Sequence, residues 1–174
     1  MSSIAYDLKI IRAIAFDVDG VLSPSTIPMS ADGFPLRMVN IKDGYALQLA
    51  IKRGLKIAII TGGISEAIPK RYNALGVNDV FQGASSKLPV LQKWMADNRL
   101  SAEEVAYMGD DIPDLPCLLA VGLPCAPADA APEVREAAEY IAPIAGGYGC
   151  ARLILEQILK AQGKWLEDNH AFGW

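Results

Sequence analysis

Residues 16–23 read FDVDGVLS, and this stretch decides the fold because an apolar run, residues 11–16 (IRAIAF), stops there at two carboxylates. A short apolar, β-branched run that ends at a charged residue predicts a buried strand. Asp17 and Asp19 follow with one residue between them, and Gly20 allows a sharp turn. Ligands of open α/β sheets bind at the carboxyl ends of strands, so we expect this acidic pair in a functional site.

The same pattern recurs along the chain. Lys56–Ile60 (KIAII) and Val105–Met108 (VAYM) are apolar runs that end at polar, glycine-containing segments, and weaker strands are predicted at residues 80–81, 121–125 and 140–141. Amphipathic stretches separate them, at residues 44–53, 65–75, 87–98, 131–138 and 150–162. This alternation predicts an α/β fold, a Rossmann-like three-layer doubly wound parallel sheet, with residues 1–174 as one domain.

Residues 23–40 break the alternation. They contain three prolines, and Asp32-Gly33 lies between short apolar stretches. An Asp-Gly step in this setting is typical of a β-hairpin, which we expect to project over the end of the first strand. The segment is too short to form a cap domain.

The composition excludes several classes of protein. The 174 residues are 52% hydrophobic and carry a net charge of −4, which argues against a disordered chain and against a nucleic-acid binder. No apolar run reaches the length of a membrane span, and no signal peptide is visible. With three cysteines and no CxxC pair, these features predict a cytoplasmic protein. His170 is the single histidine, so acid–base chemistry is expected to fall to carboxylates.

Two segments are candidates for binding a phosphate. Thr61, Gly62 and Gly63 follow a predicted strand and precede a helix, where a hydroxyl and backbone N–H groups can hold an anion. Lys87 opens a predicted helix, a place where the helix dipole disfavours a cation unless that cation faces an anion.

A third strand end is strongly acidic. Asp110, Asp111 and Asp114 lie within five residues of one another. Such a group of carboxylates predicts a divalent metal with oxygen ligands, and Mg2+ fits best. Each motif alone also fits a turn, a helix cap or a surface charge. Their joint occurrence, in this order and with strands ahead of them, favours phosphate chemistry.

These motifs resemble those of the haloacid dehalogenase superfamily. DVDGV at residues 17–21 resembles its first motif, Thr61 the second, Lys87 the third, and GDDIPD at residues 109–114 the fourth. A narrower resemblance, to the family of 3-deoxy-D-manno-octulosonate 8-phosphate phosphatases, covers about residues 14–165. It is carried by FDVDGVLS, NIKDGYAL, IITGG, FQGASSKL and VAYMGDDIPDLP.

The resemblance implies roles for individual residues. Asp17 would be the nucleophile that accepts the phosphoryl group. Asp19 would protonate the leaving sugar oxygen and then activate water. Mg2+ would be held by the Asp17 carboxylate, the Asp19 backbone carbonyl and Asp110. Asp111 and Asp114 would orient these groups, and the phosphoryl oxygens would lie against Thr61, Gly62 and Lys87.

The resemblance also implies a capless, tetrameric enzyme that acts on a sugar-acid phosphate and supplies lipopolysaccharide assembly. Two arginines expected from the family are replaced here by Gly63 and Tyr148. Lys42, Asp43 and Arg71, with Gly62 and Gly63, are the candidate substrate contacts. The tail at residues 165–174 could be a minor contact or could reach a neighbouring subunit.

These departures leave the sugar open. A nine-carbon 2-keto-3-deoxy sugar acid 9-phosphate is the alternative substrate. A sugar-phosphate mutase is disfavoured because it would need a cap to exclude water. A non-catalytic scaffold or activator would be favoured only if the motif residues were substituted.

Overall fold

The computed structural model describes residues 4–167 of the chain. Its centre is a six-stranded, wholly parallel sheet, which confirms the predicted α/β class. The strands are β1 (Ala13–Phe16), β2 (Lys56–Ile60), β3 (Asp79–Phe81), β4 (Val105–Met108), β5 (Leu123–Ala126) and β6 (Tyr140–Ile141). The helices are α1 (Ile41–Lys52), α2 (Ala67–Ala74), α3 (Lys87–Asp97), α4 (Leu115–Leu118), α5 (Pro132–Ala137) and α6 (Cys150–Ala161).

The strand order β3-β2-β1-β4-β5-β6 places β1 between β2 and β4. Phe16, the last residue of β1, is in register with Ile59 of β2 and with Met108 of β4. The carboxyl ends of these three strands therefore lie side by side. This register brings three motifs that are far apart in the sequence to one edge of the sheet.

Helices cover both faces of the sheet, so β1 is buried on both sides. Ile14 and Phe16 belong to a core cluster that includes residues of α1 and α6. Ala13 and Ala15 belong to a second cluster, which includes residues of α3 and α4. The two clusters make the sheet the middle of three layers, as the alternation of apolar runs predicted.

Some boundaries differ from the prediction for local reasons. Helix α1 begins at Ile41 and not at residue 44, because the Asn40 side chain accepts hydrogen bonds from the Lys42 and Asp43 amides and caps the helix there. The short helix α4 was not predicted, since four residues are too few to show a helical period.

The projecting loop, residues 23–40, turns where the hairpin was predicted but forms no ladder of paired strands. Its one antiparallel bridge joins Met29 and Pro35, and the Ser30 amide donates to the Phe34 carbonyl. Pro28 and Pro35 lack the N–H group that a ladder needs at every second residue. The loop is therefore held by its turn and by contacts with the rest of the chain.

Within residues 4–167, no helix is both long enough and apolar enough to span a membrane. Trp165, at the start of the predicted tail, is largely buried against the core. Residues 168–174, with His170, lie outside the described part of the chain.

Candidate active site

Asp17 is buried at the end of β1, where it meets a buried lysine. The Val18 amide donates to Asp17 Oδ1 over 2.6 Å, and Lys87 Nζ lies 3.0 Å from Asp17 Oδ2. Lys87 is the first residue of α3, and the same Nζ lies 2.7 Å from Asp114 Oδ1. A cation at this helix start is explained by the two carboxylates around it. The sequence-based expectation that Lys87 faces negative charge agrees with this geometry.

Asp114 accepts hydrogen bonds from the lysine, from a tyrosine and from two backbone amides. Its Oδ1 accepts from Lys87 and also from the Tyr107 hydroxyl, over 2.6 Å. Its Oδ2 accepts from the backbone amides of Asp110 and Asp111 over 3.1 and 3.4 Å. Both oxygens are therefore engaged by protein donors. A supporting role for Asp114, as the family resemblance implies, stays a prediction.

Tyr107 is a site residue that the sequence analysis missed. It lies in the apolar run VAYM of β4, is fully buried, and gives no polar signal in that context. Its hydroxyl joins the acidic cluster through Asp114, which lies seven residues further along the chain.

Three carboxylates come close enough to share a cation. One oxygen from each of Asp17, Asp110 and Asp114 lies within 4.8 Å of the others. A Cβ atom at Gly20 would overlap the Asp110 carboxylate, and Gly20 also has a φ of +89°, which favours glycine. The DxDG turn therefore makes room for Asp110. Asp114 accepts four hydrogen bonds from protein donors, whereas Asp17 accepts one at each oxygen, so Asp17 and Asp110 have more capacity left to hold an ion.

The oxygen-only ligand set fits Mg2+, a hard cation that is usually held by one or two carboxylates with other oxygen donors. The pKa shifts of the acidic residues also fit a bound cation. Burial and the neighbouring carboxylates, Asp17 first among them, raise the pKa of Asp110 to about 7. Burial and Asp114 raise the pKa of Asp17 to about 6, although Lys87 opposes this. For Lys87, burial lowers the pKa, but Asp17 and Asp114 together outweigh it and the net shift is upward.

These shifts predict that Mg2+ affinity depends on pH. Below about pH 7 a proton on Asp110 competes with the ion, and below about pH 6 a proton on Asp17 does so as well. The association constant should therefore rise about tenfold per pH unit between pH 6 and 7, more steeply below pH 6, and level off above pH 7. Calorimetric titration of the metal-free protein in buffers of different ionisation enthalpy measures both the affinity and the proton release. The variant Asp110→Asn should lose the strong binding and its pH dependence. An affinity that stays constant from pH 5 to 8 would contradict the prediction.

The Thr61 segment lies at the neighbouring strand end. Thr61 is buried directly after β2, and its Oγ1 accepts from the Gly63 amide over 3.1 Å. Gly62 is exposed at the tip of this turn. Since β2 pairs with β1, this turn and Asp17 occupy the same edge of the sheet. The arrangement is consistent with the predicted phosphate cradle.

Asp19 forms a bidentate ion pair with Arg37 of the projecting loop. Arg37 Nε and Nη2 each donate over 2.7 Å, to Asp19 Oδ1 and Oδ2. The sequence analysis did not select Arg37. One signal could have found it, since Arg37 is the only basic residue between positions 24 and 41.

The predicted substrate contacts are not all brought together. Asp43 is buried between α1 and α6, where it accepts from the Arg152 amide over 2.6 Å, and desolvation raises its pKa to about 6. This capping of α6 gives Asp43 Oδ1 a structural role, whereas its buried Oδ2 has no hydrogen-bond partner among residues 4–167. The Lys42 side chain is exposed on the first turn of α1.

Arg71 is better placed than Lys42 or Asp43. It lines a small cavity of about 70 Å³ together with Arg37 and Tyr72. Arg71 Nη2 is buried, and among residues 4–167 it has no hydrogen-bond partner. A buried donor without a partner favours a polar ligand at this position.

Comparisons with known proteins show which family this chain resembles. The sequence model for haloacid dehalogenase-like hydrolases matches residues 74–154. The 3-deoxy-D-manno-octulosonate 8-phosphate phosphatase KdsC of Escherichia coli K12 is 40% identical over 154 residues, 88% of this chain and 82% of that protein.

Two solved structures are also similar. The 3-deoxy-D-manno-octulosonate 8-phosphate phosphatase of Yersinia pestis is 39% identical, with a TM-score of 0.87 over 91% of this chain and 85% of that one. The Moraxella catarrhalis phosphatase, solved in complex with magnesium, phosphate and KDO, is 33% identical, with a TM-score of 0.87 over 91% of each chain. With these identities extending over most of each chain, the protein belongs to the 3-deoxy-D-manno-octulosonate 8-phosphate phosphatase family of haloacid dehalogenase-like hydrolases.

Proposed function

We propose that this protein is a Mg2+-dependent phosphatase that hydrolyses 3-deoxy-D-manno-octulosonate 8-phosphate to the free sugar acid and phosphate. The observation that carries the proposal is the buried Asp17 carboxylate, 3.0 Å from Lys87 and within reach of Asp110. This pairing of an acidic nucleophile with a cation and a metal site suits attack on a phosphate dianion. The 40% identity to KdsC supports the substrate.

The first step transfers the phosphoryl group to Asp17. An Asp17 oxygen attacks phosphorus, the bond from phosphorus to the sugar oxygen breaks, and Asp19 gives a proton to that oxygen. Lys87 has three N–H donors, two of which point to Asp17 and Asp114, so one remains for a phosphoryl oxygen. When bound, Mg2+ supplies positive charge that offsets repulsion between Asp17 and the phosphate.

The second step hydrolyses the aspartyl-phosphate. Asp19, now ionised, takes a proton from a water molecule that attacks phosphorus, and the Asp17 carboxylate is regenerated. Thr61 and the exposed Gly62 turn hold the phosphoryl oxygens through both steps. Arg71, whose buried Nη2 has no partner among the described residues, and Lys42 are the proposed contacts for the sugar acid.

A substrate panel tests the function. We expect kcat/KM to be at least about tenfold higher for the eight-carbon acid phosphate than for a neutral sugar phosphate, because cationic side chains bind the carboxylate of the acid. A nine-carbon 2-keto-3-deoxy acid 9-phosphate should be turned over more slowly. If the nine-carbon substrate were preferred, the alternative function would replace the proposed one. If neutral sugar phosphates were hydrolysed as well as both acids, a sugar-acid function would be refuted.

We also propose that the protein is a homo-oligomer, as a tetramer of the kind the family resemblance implies. The support is the projecting loop, which exposes a run of large apolar side chains that a monomer would leave in water: Met29, Phe34, Leu36, Met38 and Val39. Light scattering coupled to size-exclusion chromatography should give about four times the mass of one chain. A monomer at assay concentration would contradict this.

A cytoplasmic location is proposed from the cysteines. Cys117, Cys125 and Cys150 are all buried and free, as is usual in reducing compartments. A non-catalytic scaffold has no specific support, because Asp17, Lys87 and Asp110 lie together as catalysis requires.

A further inference from the structure

Arg37 sits over the site as part of a bidentate pair. Its guanidinium and the Asp19 carboxylate are joined by two 2.7 Å hydrogen bonds. The Arg37 side chain is only 12% exposed, whereas that of Asp19 is 41% exposed. The arginine is therefore the fixed member of the pair, and the acid is the member that solvent or a ligand can reach.

Gly63 makes this position of Arg37 possible. A Cβ atom at residue 63 would overlap Arg37 Nη2 and would lie 3.3 Å from Asp19 Oδ2. Any side chain there would push the guanidinium away from Asp19. The turn after β2 thus leaves a space that the projecting loop fills with Arg37.

While the ion pair between Arg37 and Asp19 is intact, Asp19 cannot act as a proton donor. Both oxygens of Asp19 accept from Arg37, so neither is free to protonate a leaving oxygen. A substrate carboxylate has the same planar, two-oxygen shape and can take the place of the Asp19 carboxylate on the guanidinium fork. Because Asp19 is part-exposed, the exchange does not require a buried charge to be stranded.

We propose that Arg37 is a specificity-determining residue that binds Asp19 in the free enzyme and exchanges it for the carboxylate of the sugar acid. The exchange frees the Asp19 carboxylate, which takes a proton from solvent and can then give it to the leaving oxygen of an acidic substrate. A neutral sugar phosphate has no carboxylate that could bind the Arg37 guanidinium. The ion pair between Arg37 and Asp19 then stays intact, and turnover is slow. The inference rests on the proposed function and names the residue that recognises the acidic part of the substrate.

The test compares an acidic with a neutral substrate in Arg37 variants. For Arg37→Met we expect kcat/KM for 3-deoxy-D-manno-octulosonate 8-phosphate to fall about 30-fold, because a charge-assisted bidentate contact is lost. For D-mannose 6-phosphate it should stay the same or rise, since Asp19 is no longer held. Arg37→Lys should also lose most of the preference, because an ammonium group cannot form the fork.

Two further variants sharpen the result. Gly63→Ala keeps Arg37 but displaces its guanidinium, so it should reduce the preference in the same direction by about tenfold. Lys93→Met removes one positive charge from an exposed i,i+4 pair on α3 and serves as the matched control, with both substrates unchanged. Thermal unfolding midpoints are measured for all variants to check that the fold is retained.

The outcomes separate this inference from the proposed function. If the wild type prefers the acid and the Arg37 variants keep that preference, the inference is overturned and the function stands. It is also overturned if both substrates lose activity equally, since Arg37 would then only position Asp19, or if Gly63→Ala changes nothing. If the wild type shows no preference for the acid, the proposed function fails and the inference falls with it.

Discussion

Asp17→Asn should reduce kcat by at least about 10⁴-fold while leaving the fold intact, because the amide cannot form the covalent aspartyl-phosphate. The substitution keeps the size of a side chain that is buried at the end of β1. It also removes one of the negative charges that raise the pKa of Asp110. Metal-free Asp17→Asn should therefore be no less stable than the wild type.

Steady-state kinetics and thermal unfolding of the variant check both parts of this result. Asp111→Asn is the matched control, an exposed carboxylate in the same acidic segment, and we expect it to lose less than about tenfold. Near-normal turnover by Asp17→Asn would show that the nucleophile is another residue.

Lys87→Met should lower kcat by about 10³-fold and also destabilise the protein in a pH-dependent way. Methionine fills a similar volume but leaves Asp17 and Asp114 facing each other without a cation. Breaking a buried pair in this way costs about 3 kcal/mol when the remaining charge is ionised. The loss of a donor to the phosphoryl group accounts for the effect on kcat.

The sign of the pH dependence follows from the carboxylates. Burial and Asp114 already raise the pKa of Asp17 to about 6, and removal of Lys87 raises it further. The folded variant then retains protons that the unfolded chain releases, so its stability is highest near pH 4 and falls as the pH rises through 6 and above. Relative to the wild type, the loss in free energy of unfolding should be larger at pH 8 than at pH 5.

Urea denaturation at the two pH values measures the difference, with Lys93→Met as the control for removal of an exposed lysine. Equal destabilisation at pH 5 and pH 8 would show that the repulsion between Asp17 and Asp114 is not its cause.

The sheet could be predicted because its strands are short apolar runs with sharp polar ends. Lys56–Ile60, Val105–Met108 and Tyr140–Ile141 lie where the sequence predicted them, since buried parallel strands are apolar on both faces and stand out in a sequence. The projecting loop was harder to predict. An Asp-Gly turn signals a hairpin, but the prolines on either side remove the donors on which strand pairing depends.

The residues of the candidate site also divide into those that could be predicted from the sequence and those that could not. Asp17, Lys87 and Asp110 could be selected because carboxylates and a lysine directly after or between apolar elements are unusual and local in the sequence. Tyr107 and Arg37 could not be assigned in that way. Tyr107 takes its role from a hydrogen bond to Asp114, seven positions further on in the segment after β4. Arg37 takes its role from contact with Asp19, eighteen positions away, made by the projecting loop.

The stretch FDVDGVLS, with the strand ends that follow it, by itself determined the α/β fold and pointed to an acidic site for phosphate chemistry, because these depend on residue type and on apolar periodicity. Only the tertiary structure decided that Asp114 accepts a hydrogen bond from Lys87 and that Asp43 caps α6. It also decided that Arg37 fills the space left by Gly63. The reason is physical. A hydrogen bond or an excluded volume between distant residues exists only once the chain has folded and placed them at the same edge of the sheet.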